Sequence, residues 1–449
     1  MTVSARDLPP FARLPGGLAP LGYRNYLLYW VGFFVSNTGR WMELTGAVWL
    51  LSELTSDPLQ LGLVGVFRAV PQLLLGPIAG VVSDRVDQRK LLFTTQGLSV
   101  IASLLLGFLI VNGSVEIWQV YLQVGIQSAI TAFDASVRQA LFPRLVPREH
   151  LPEAVVLHST ANRLCQLLGP ALGGLVIATL GEAAPFLING ATSFVLMGAA
   201  LAIKGVVPRR PVEGSSMRGE LREGIRYVLS APIIGGLARL ELVFGLLSMN
   251  PVMITLYGRQ VLGVGPEGLG GLLAAEAFGA LFGVLFILVA GQRERQGRFI
   301  VLCQIVYSGL LVVMAFTVQY AACFGALAAL GFFDTLTSVT RQNVMQLVAP
   351  GRMRGRVMAN VGTVTRATGP FSQTLSGALT SLFGPSLAIV ASAATLSVAA
   401  AAVGRSNPTL WRAKHDELIR RPPGAATGAP SATEAAGTVS TVDAREAAS

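Results

Sequence analysis

Residues 80–90 read GVVSDRVDQRK, a short charged turn that separates two long apolar segments. The segments before and after it, at approximately 59–82 and 90–112, are each long enough to cross a bilayer as a helix, which takes roughly 20 apolar residues. A turn between two such helices places its charged residues at one surface of the membrane. The same alternation of apolar segment and short polar loop continues in both directions along the chain.

Twelve apolar segments predict twelve membrane-spanning helices. Their approximate bounds are 24–51, 59–82, 90–112, 115–141, 153–180, 183–205, 233–257, 267–290, 298–317, 319–343, 357–383 and 385–404. The composition agrees, because 52% of the residues are hydrophobic and only 13% are charged, against about 25% charged residues in soluble domains. We therefore expect an all-α membrane protein.

The distribution of lysine and arginine predicts the orientation. Of the 34 basic residues, 28 fall in the N-terminal arm, the loops after even-numbered spans and the tail, whereas Arg259 alone falls in a loop on the other side. Because basic residues accumulate in cytoplasmic loops, we expect both termini in the cytoplasm of a multi-pass inner-membrane protein. The net charge of +10 then reflects orientation and contacts with membrane lipids, and we expect no nucleic-acid partner.

The two sets of six spans resemble each other. Phe133-Asp134 recurs as Phe333-Asp334, and Gly169-Pro170 recurs as Gly369-Pro370, both at an offset of 200 residues. Parallel repeats of this kind predict a central cavity between two bundles, open alternately to each side of the membrane. The predicted division is a cytoplasmic arm (1–23), an N-terminal six-helix bundle (24–205), a cytoplasmic linker (206–232), a C-terminal six-helix bundle (233–404) and a cytoplasmic, mostly disordered tail (405–449).

The turn at 80–90 resembles motif A of the major facilitator superfamily of transporters. The residues that carry the resemblance are Gly80, Asp84, Arg85, Arg89 and Lys90. One departure is Asp87, which stands where many members have glycine. The resemblance implies the major facilitator fold, in which twelve helices form two pseudo-symmetric bundles. It also implies that Gly80 permits close helix approach and that Asp84 holds facing helix ends together.

A second motif lies in the fifth span, where small residues surround a proline. It comprises Gly169, Pro170, Gly173 and Gly174. Small residues allow close helix packing, and proline removes a backbone hydrogen bond. The segment resembles motif C of the proton-driven, drug-exporting members of the superfamily.

The resemblance covers about residues 20–405 and can be narrowed to one branch. The residues between Leu54 and Arg85, together with Leu221-Arg222-Glu223-Gly224, are similar to the branch that contains enterobactin exporters and macrolide-efflux-type permeases. It implies secondary active export, by proton antiport with alternating access, of a small hydrophobic or amphiphilic molecule such as a drug, siderophore or secreted metabolite. The alternative is a lysophospholipid flippase on the same fold.

Polar side chains inside the spans are candidates for the transport machinery. A charge at mid-bilayer costs on the order of 2.5–3.5 kcal/mol, so it normally faces a partner or a wet cavity. In this superfamily spans 1, 4, 7 and 10 line the cavity. The candidates for the substrate cavity are Asn37, Arg40, Arg68, Gln123, Gln127, Arg239, Glu241 and Asn250.

Two carboxylates are candidates for proton coupling. Glu43 is the first, and Arg40, three residues before it on the same helix, can pair with it. A static ion pair of Glu43 is the alternative interpretation. Glu276 is the second candidate, because the family pattern does not place the eighth span at the centre.

Charged residues at the inner ends of spans four and ten are candidates for a cytoplasmic gate. They are Asp134, Arg138, Asp334 and Arg341. With Asp84, they would close the cytoplasmic side and separate when it opens. Simple anchoring at the membrane interface is the alternative interpretation.

The signatures of several other function classes are missing from the sequence. It contains neither a Walker-type phosphate loop nor a Gly-x-Ser-x-Gly elbow. The three histidines are scattered, and Cys165, Cys303 and Cys323 lie inside spans, which argues against a spaced metal site. We expect no enzyme activity and no cofactor, and a monomer whose partners are a small-molecule substrate, protons and lipids.

Overall fold

The computed structural model describes residues 16–203, 226, 232–290, 295–349, 354–407 and 411. Within these ranges a short 3-10 helix (Gly16–Gly22) precedes thirteen α-helices. Their bounds are α1 (Arg24–Leu54), α2 (Pro58–Arg85), α3 (Gln88–Val111), α4 (Ile117–Leu141), α5 (Leu151–Leu180), α6 (Ala184–Ala202), α7 (Pro232–Leu247), α8 (Pro251–Gln260), α9 (Pro266–Ala290), α10 (Gln296–Ala315), α11 (Tyr320–Val348), α12 (Arg354–Phe383) and α13 (Pro385–Ser406).

The described helices make twelve crossings. Nine qualify by length and apolar composition alone, with α7 and α8 counted as one crossing. The other three helices, α1, α4 and α12, contain 31, 25 and 30 residues, which exceeds the roughly 20 residues that a bilayer requires. They carry charged or amide side chains within the crossing, and these lower their mean hydropathy. The prediction of an all-α fold with twelve membrane helices is confirmed.

The seventh crossing is broken, whereas the sequence predicted one continuous span at 233–257. Helix α7 ends at Leu247 and α8 begins at Pro251. The side chain of Asn250 caps α8 by accepting hydrogen bonds from the backbone N–H groups of Val252 and Met253, both at 3.1 Å. Because proline favours the first position of a helix and an asparagine cap satisfies its free N–H groups, this dipeptide starts a new helix inside the membrane.

Helices α1–α6 and α7–α13 form two bundles with the same internal packing. In the first bundle α1 packs on α5 and α6, α2 on α4, and α3 on α4 and α6. The equivalent crossings of the second bundle repeat these pairings, since α7 packs on α12 and α13, α9 on α11, and α10 on α11 and α13. The sequence repeat therefore corresponds to a structural one. Apart from residues 226 and 232, the linker 206–232 falls outside the described residues, as does most of the tail, so the domain boundaries there stay a prediction.

The two bundles meet through close backbone contacts between glycines. A Cβ atom on Gly62 of α2 would lie 2.8 Å from the Cα of Gly377 in α12, and one on Gly174 of α5 would lie 2.7 Å from the Cα of Gly270 in α9. The first contact joins crossing 2 to crossing 11, and the second joins crossing 5 to crossing 8. The internal repeat relates these two pairs of crossings to each other. We call the surface with the α2–α3 turn the basic face, and the surface with the α1–α2 turn the opposite face. Both glycine contacts lie in the half toward the opposite face.

Candidate functional site

A cavity of about 340 Å³ lies between the bundles. Helices α1, α2 and α5 form one wall, and α7, α8, α9, α11 and α12 form the other. The charged residues that line it are Arg68, Arg163, Glu276 and Asp334. The uncharged polar residues that line it are Thr45, Gln166, Ser248, Asn250, Ser372 and Gln373. Trp41, Leu44, Val48 and Leu273 add apolar surface. The cavity therefore combines apolar surface with four ionisable groups.

The charged groups of the cavity lack close partners. Among the described residues, neither Arg68 nor Arg163 has a carboxylate oxygen within 4.0 Å. Glu276 and Asp334 lie within electrostatic range of Arg163 without contacting it. Asp334 was expected at the cytoplasmic gate, and the structure places it on the cavity wall instead. Glu276 lies there too, so the eighth span is more central than the family pattern implied.

Amide side chains provide further hydrogen-bonding groups in the cavity wall. The Nδ2 of Asn250 donates to the Oγ of Ser376 at 2.7 Å and to the Oγ of Ser372 at 3.0 Å. Gln373 is 3% exposed, and its Oε1 has no hydrogen-bond donor among the described residues. A buried acceptor without a donor is costly, so a ligand or water that donates to this oxygen would stabilise the site.

Glu43 lies in a sealed cluster inside the first bundle and does not line this cavity. Its carboxylate accepts hydrogen bonds from Gln123 Nε2 at 2.6 Å, Ser103 Oγ at 3.0 Å and Gln127 Nε2 at 3.3 Å, and from Asn189 Nδ2. The candidates Gln123 and Gln127 are therefore partners of Glu43 rather than cavity-lining groups. Ser103 and Asn189 were missed by the sequence analysis, although their polarity inside apolar spans was a signal.

The possible pair between Arg40 and Glu43 does not form. Instead Arg40 Nη1 lies 3.7 Å from Asp134 Oδ2, and Arg138 forms a salt bridge with the same carboxylate. Thr95 Oγ1 also donates to Asp134, at 3.0 Å. Two arginines therefore share the buried carboxylate of Asp134, because the side chain of Arg40 is long enough to reach from α1 to α4. The side chain of the candidate Asn37 also has a partner within the first bundle, since its Nδ2 donates to Asn162 Oδ1 at 3.1 Å.

In the second bundle the arginine of the candidate gate has a different partner. Arg341 forms a salt bridge with Glu241 of α7 rather than with Asp334. Thr365 Oγ1 donates to the same glutamate at 2.8 Å. Asp334 and Arg341 stand seven residues apart, roughly 10 Å along a helix, whereas Asp134 and Arg138 are separated by a single turn. Glu241 is therefore a buried structural partner and does not line the cavity.

Arg239 was also predicted to face the substrate. The structure exposes its side chain on α7, where its Nε donates to the carbonyl oxygen of Gly235 at 3.1 Å on the same helix. It is not part of the cavity lining. Of the eight cavity candidates, the structure places Arg68 and Asn250 there.

The motif A residues connect α2, α3 and α6 at the basic face. Arg89 donates to the carbonyl oxygens of Ala200 and Leu201 at the end of α6, at 3.2 and 3.1 Å. Asp87, the departure from the family pattern, caps α3 by accepting from the backbone N–H of Arg89 at 2.9 Å. A Cβ on Gly80 would meet no described atom within 4 Å, so no described helix makes the expected close approach there. Arg85 and Lys90 are exposed, and the side chain of Asp84 is outside the described set.

The glycines of the fifth crossing let α5 contact two helices closely. A Cβ on Gly169 would lie 2.2 Å from the Cβ of Trp41, and one on Gly173 would lie 3.2 Å from the Cβ of Thr45, both in α1. Gly174 faces α9 on the other bundle, and Pro170 lines the cavity. The motif therefore positions one cavity wall.

An ion pair joins the bundles at the opposite face. Arg259 of α8 lies with Nη2 3.0 Å from Glu53 Oε1 and donates through Nη1 to Ser52 Oγ at 2.7 Å. Its guanidinium also lies 4.8 Å from the centroid of the Trp49 ring. We call Trp49, Ser52, Glu53 and Arg259 the latch. It ties the end of α1 to the end of α8 and closes the opposite face there.

The arrangement fits solute passage between two bundles rather than a reaction centre. Within the described ranges no group of three or more His, Cys, Asp or Glu side chains could hold a metal ion.

The known proteins that are similar to this chain are membrane transporters. The chain is 25% identical to the multidrug efflux pump Tap of Mycolicibacterium fortuitum over 368 residues, 80% of this chain and 90% of Tap. It is 26% identical to the enterobactin exporter EntS of Salmonella typhi over 352 residues, 76% of this chain and 81% of EntS. It is also 25% identical to the uncharacterised MFS-type transporter YfiS of Bacillus subtilis over 273 residues, 58% of this chain; that match spans only 62% of YfiS.

Solved structures agree on the fold. A bacterial homologue of the human lysosomal transporter Spinster, in an inward-facing and unoccupied conformation, matches with a TM-score of 0.71 at 13% identity, covering 87% of this chain and 98% of that one. A family model described as transmembrane secretion effector matches residues 15–423. The chain therefore belongs to the transmembrane secretion effector family of major facilitator transporters, which are membrane transporters of small molecules and not enzymes.

Proposed function

We propose that this protein exports a small hydrophobic or amphiphilic molecule by proton antiport with alternating access. The observation that carries the proposal is the cavity between the bundles, whose apolar surface surrounds ionisable groups that form no salt bridge with the described residues. The relatives Tap, a multidrug efflux pump, and EntS, an enterobactin exporter, support export and suggest a drug, a siderophore or another secreted metabolite as the cargo.

The latch and the glycine contacts indicate which state of the cycle the structure represents. Both lie toward the opposite face, so we infer that the cavity communicates with the basic face. With the basic face in the cytoplasm of the inner membrane, as the lysine and arginine distribution indicates, this state would load substrate from the cell interior. The protein would act as a monomer among membrane lipids, with both termini in the cytoplasm.

Two carboxylates remain candidates for carrying the proton, with different roles. Glu276 lines the cavity, so its protonation and substrate binding can compete directly. Glu43 has four hydrogen-bonding partners, and one of them, Gln127 of α4, also accepts a hydrogen bond from Ser99 of α3. We propose Glu276 for direct exchange, and Glu43 for coupling the first bundle to that exchange. Asp134 with Arg138, and Arg341 with its observed partner Glu241, are proposed to hold the inner ends of the helices as the gate moves.

Everted vesicles test the proposal. Vesicles that contain the protein, energised by respiration, are expected to accumulate enterobactin or the cationic dye ethidium, and a protonophore should abolish the accumulation. Glu276→Gln and Glu43→Gln should reach the membrane yet lose proton-dependent accumulation. Glu267→Gln is the matched control, since Glu267 is exposed at the start of the same helix as Glu276, and it should behave as the parent protein. Accumulation that persists without a proton gradient would rule out antiport.

A further inference from the structure

We propose that the cavity selects substrates that carry an anionic group and a cationic group on an apolar body, with the anion held at Arg68 and the cation at Glu276 and Asp334. This inference rests on the proposed export function, because it names the chemistry of the cargo in the same cavity. The feature behind it is a separation of charge between the two walls. Both arginines of the cavity belong to the first bundle, and both carboxylates belong to the second.

The arginine on α2 is the clearest anion site. Among the described residues Arg68 has no carboxylate oxygen within 4.0 Å. The side chain of Arg68 makes no hydrogen bond to a described residue, whereas its backbone carbonyl oxygen accepts from Ser128 Oγ at 2.6 Å. A guanidinium offers five N–H donors and binds carboxylates in a bidentate manner. An anionic group of a ligand would supply the partner that the protein omits.

The opposite wall is suited to a cation. Glu276 and Asp334 lie close enough to repel each other electrostatically, and Arg163 on the facing wall offsets them without contact inside 4.0 Å. Neither carboxylate accepts a hydrogen bond from a described side chain. Gln373 Oε1, elsewhere in the same lining, is also without a donor among the described residues. An ammonium group has three N–H donors, so one such group could donate to a carboxylate of this wall.

The cavity lining also suits an apolar body. Trp41, Leu44 and Val48 of α1 contribute apolar surface to one wall, and Leu273 and Ala277 of α9 contribute it to the other. A molecule with one charge only would leave one wall unmatched, and an unmatched charge in a membrane cavity is costly. Because the bundles move as units during alternating access, a ligand that binds both walls would also join them as the cavity closes. Selection for both charges therefore follows from the way the walls are divided.

Binding to the purified full-length protein in detergent tests this inference. The probes are ω-amino fatty acids with 6, 8 and 11 carbons, their methyl esters (cation only) and the matching fatty acids (anion only), measured by titration calorimetry. At least one ω-amino acid should bind about tenfold tighter than both singly charged analogues of its length, as expected for one added charged contact. The series also reports the charge separation that the cavity accepts.

Two substitutions assign each charge to its wall. Arg68→Gln should reduce the affinity for the ω-amino acid to that of its ester while leaving ester binding unchanged. Glu276→Gln should reduce it to that of the fatty acid while leaving fatty-acid binding unchanged. The matched controls are Arg405→Gln, at the exposed end of α13, and Glu267→Gln, which should change nothing.

Three results would overturn the inference. They are equal binding of the ω-amino acid and either analogue, binding of no member of the series, and losses that both substitutions impose on all ligands alike. The last pattern would mean that the four charges only pair with one another as the cavity closes. Because these measurements use no gradient, accumulation in everted vesicles together with any of these results would retain the export function and remove the charge selection.

Discussion

Glu43 and Glu276 are both glutamates inside membrane crossings, but their surroundings predict opposite effects on stability. Glu43 is 4% exposed and accepts hydrogen bonds from Ser103, Gln123, Gln127 and Asn189. Glu276 accepts none from a described side chain. A buried donor left without its acceptor costs about 1–3 kcal/mol, whereas removing an unpartnered carboxylate removes a desolvation cost.

We therefore expect Glu43→Leu to lower the thermal unfolding midpoint in detergent by several degrees. Glu276→Leu should leave the midpoint unchanged or raise it, while abolishing proton-dependent accumulation. Tryptophan fluorescence during heating measures the first effect and everted vesicles the second. Equal destabilisation by the two substitutions would mean that Glu276 has a structural partner and is not free to exchange a proton.

At the level of single residues, sequence spacing predicted contacts within one helix and missed those between helices. Asp134 and Arg138 stand one turn apart, and their pairing follows from helix geometry. The partner of Arg341 is Glu241, a hundred residues earlier, and only the packing of α7 against α11 brings the two together. Arg40 shows the same limit, because its long side chain reaches α4 instead of the glutamate one turn away.

At the level of helices, the glycine contacts between bundles leave no room for a methyl group. A Cβ on Gly174 would lie 2.4 Å from the carbonyl oxygen of Pro266 and 2.7 Å from the Cα of Gly270. Both are backbone atoms of α9, so relief requires α5 and α9 to separate. Overpacking of this kind costs about 1–3 kcal/mol, which changes a two-state population by about 5- to 150-fold.

Gly174→Ala is therefore expected to shift the protein away from the state with a closed opposite face. The matched control is Gly198→Ala in α6, because a Cβ there would meet no described atom within 4 Å. Spin labels at Ser114 in the first bundle and Val318 in the second are both exposed at the opposite face. The distance between them, measured by double electron–electron resonance, reports how far the bundles separate at that face. The three buried native cysteines are replaced beforehand. An unchanged distance distribution in Gly174→Ala would contradict the role given to this contact.

Helix number was predictable from the sequence, but helix continuity was not. An apolar window of about 20 residues finds a crossing whether or not its backbone is continuous. Asn250 and Pro251 are a recognisable start signal for a helix, yet the apolar residues on both sides concealed the break between α7 and α8. The break matters for function because it puts Asn250 on the cavity wall.

At the scale of the whole molecule, the repeat predicted two bundles and a cavity between them, and the structure has both. The sequence was less informative about which helices supply the charges of the cavity. The family resemblance implied that spans 1, 4, 7 and 10 line the cavity. The charges of the cavity come from α2, α5, α9 and α11, and of these helices α11, the tenth crossing, belongs to that set. Which side chains of a helix point into the cavity depends on how far each bundle is rotated about it. That rotation is a property of the assembled molecule.

The latch gives a prediction for the movement of the bundles. Arg259 contributes an ion pair, a hydrogen bond to Ser52 and a contact with the Trp49 ring. Arg259→Gln removes the charge and should increase the population with an open opposite face, seen as longer distances between the labels at Ser114 and Val318. Arg24→Gln, at the exposed start of α1, is the control. If the distances stay the same, the latch does not hold that face closed.

The same latch should respond to pH through Glu182, which lies in the turn between α5 and α6. Burial raises the pKa of Glu182, and the charge of Glu53 raises it further, while a hydrogen bond from Trp49 and the charge of Arg259 oppose this to a lesser extent. An acid with a raised pKa binds its proton more tightly in the closed state than in an open, solvated one. As the pH at the opposite face falls from neutral through the raised pKa, the closed state should therefore gain population. The gain should end near the ordinary pKa of 4.5, where Glu182 is protonated in both states.

The measurement is the fraction of short Ser114–Val318 distances between neutral pH and that limit. In Glu182→Gln this fraction should not change with pH. A larger open population on acidification, or an unchanged profile in the variant, would assign the response to another group.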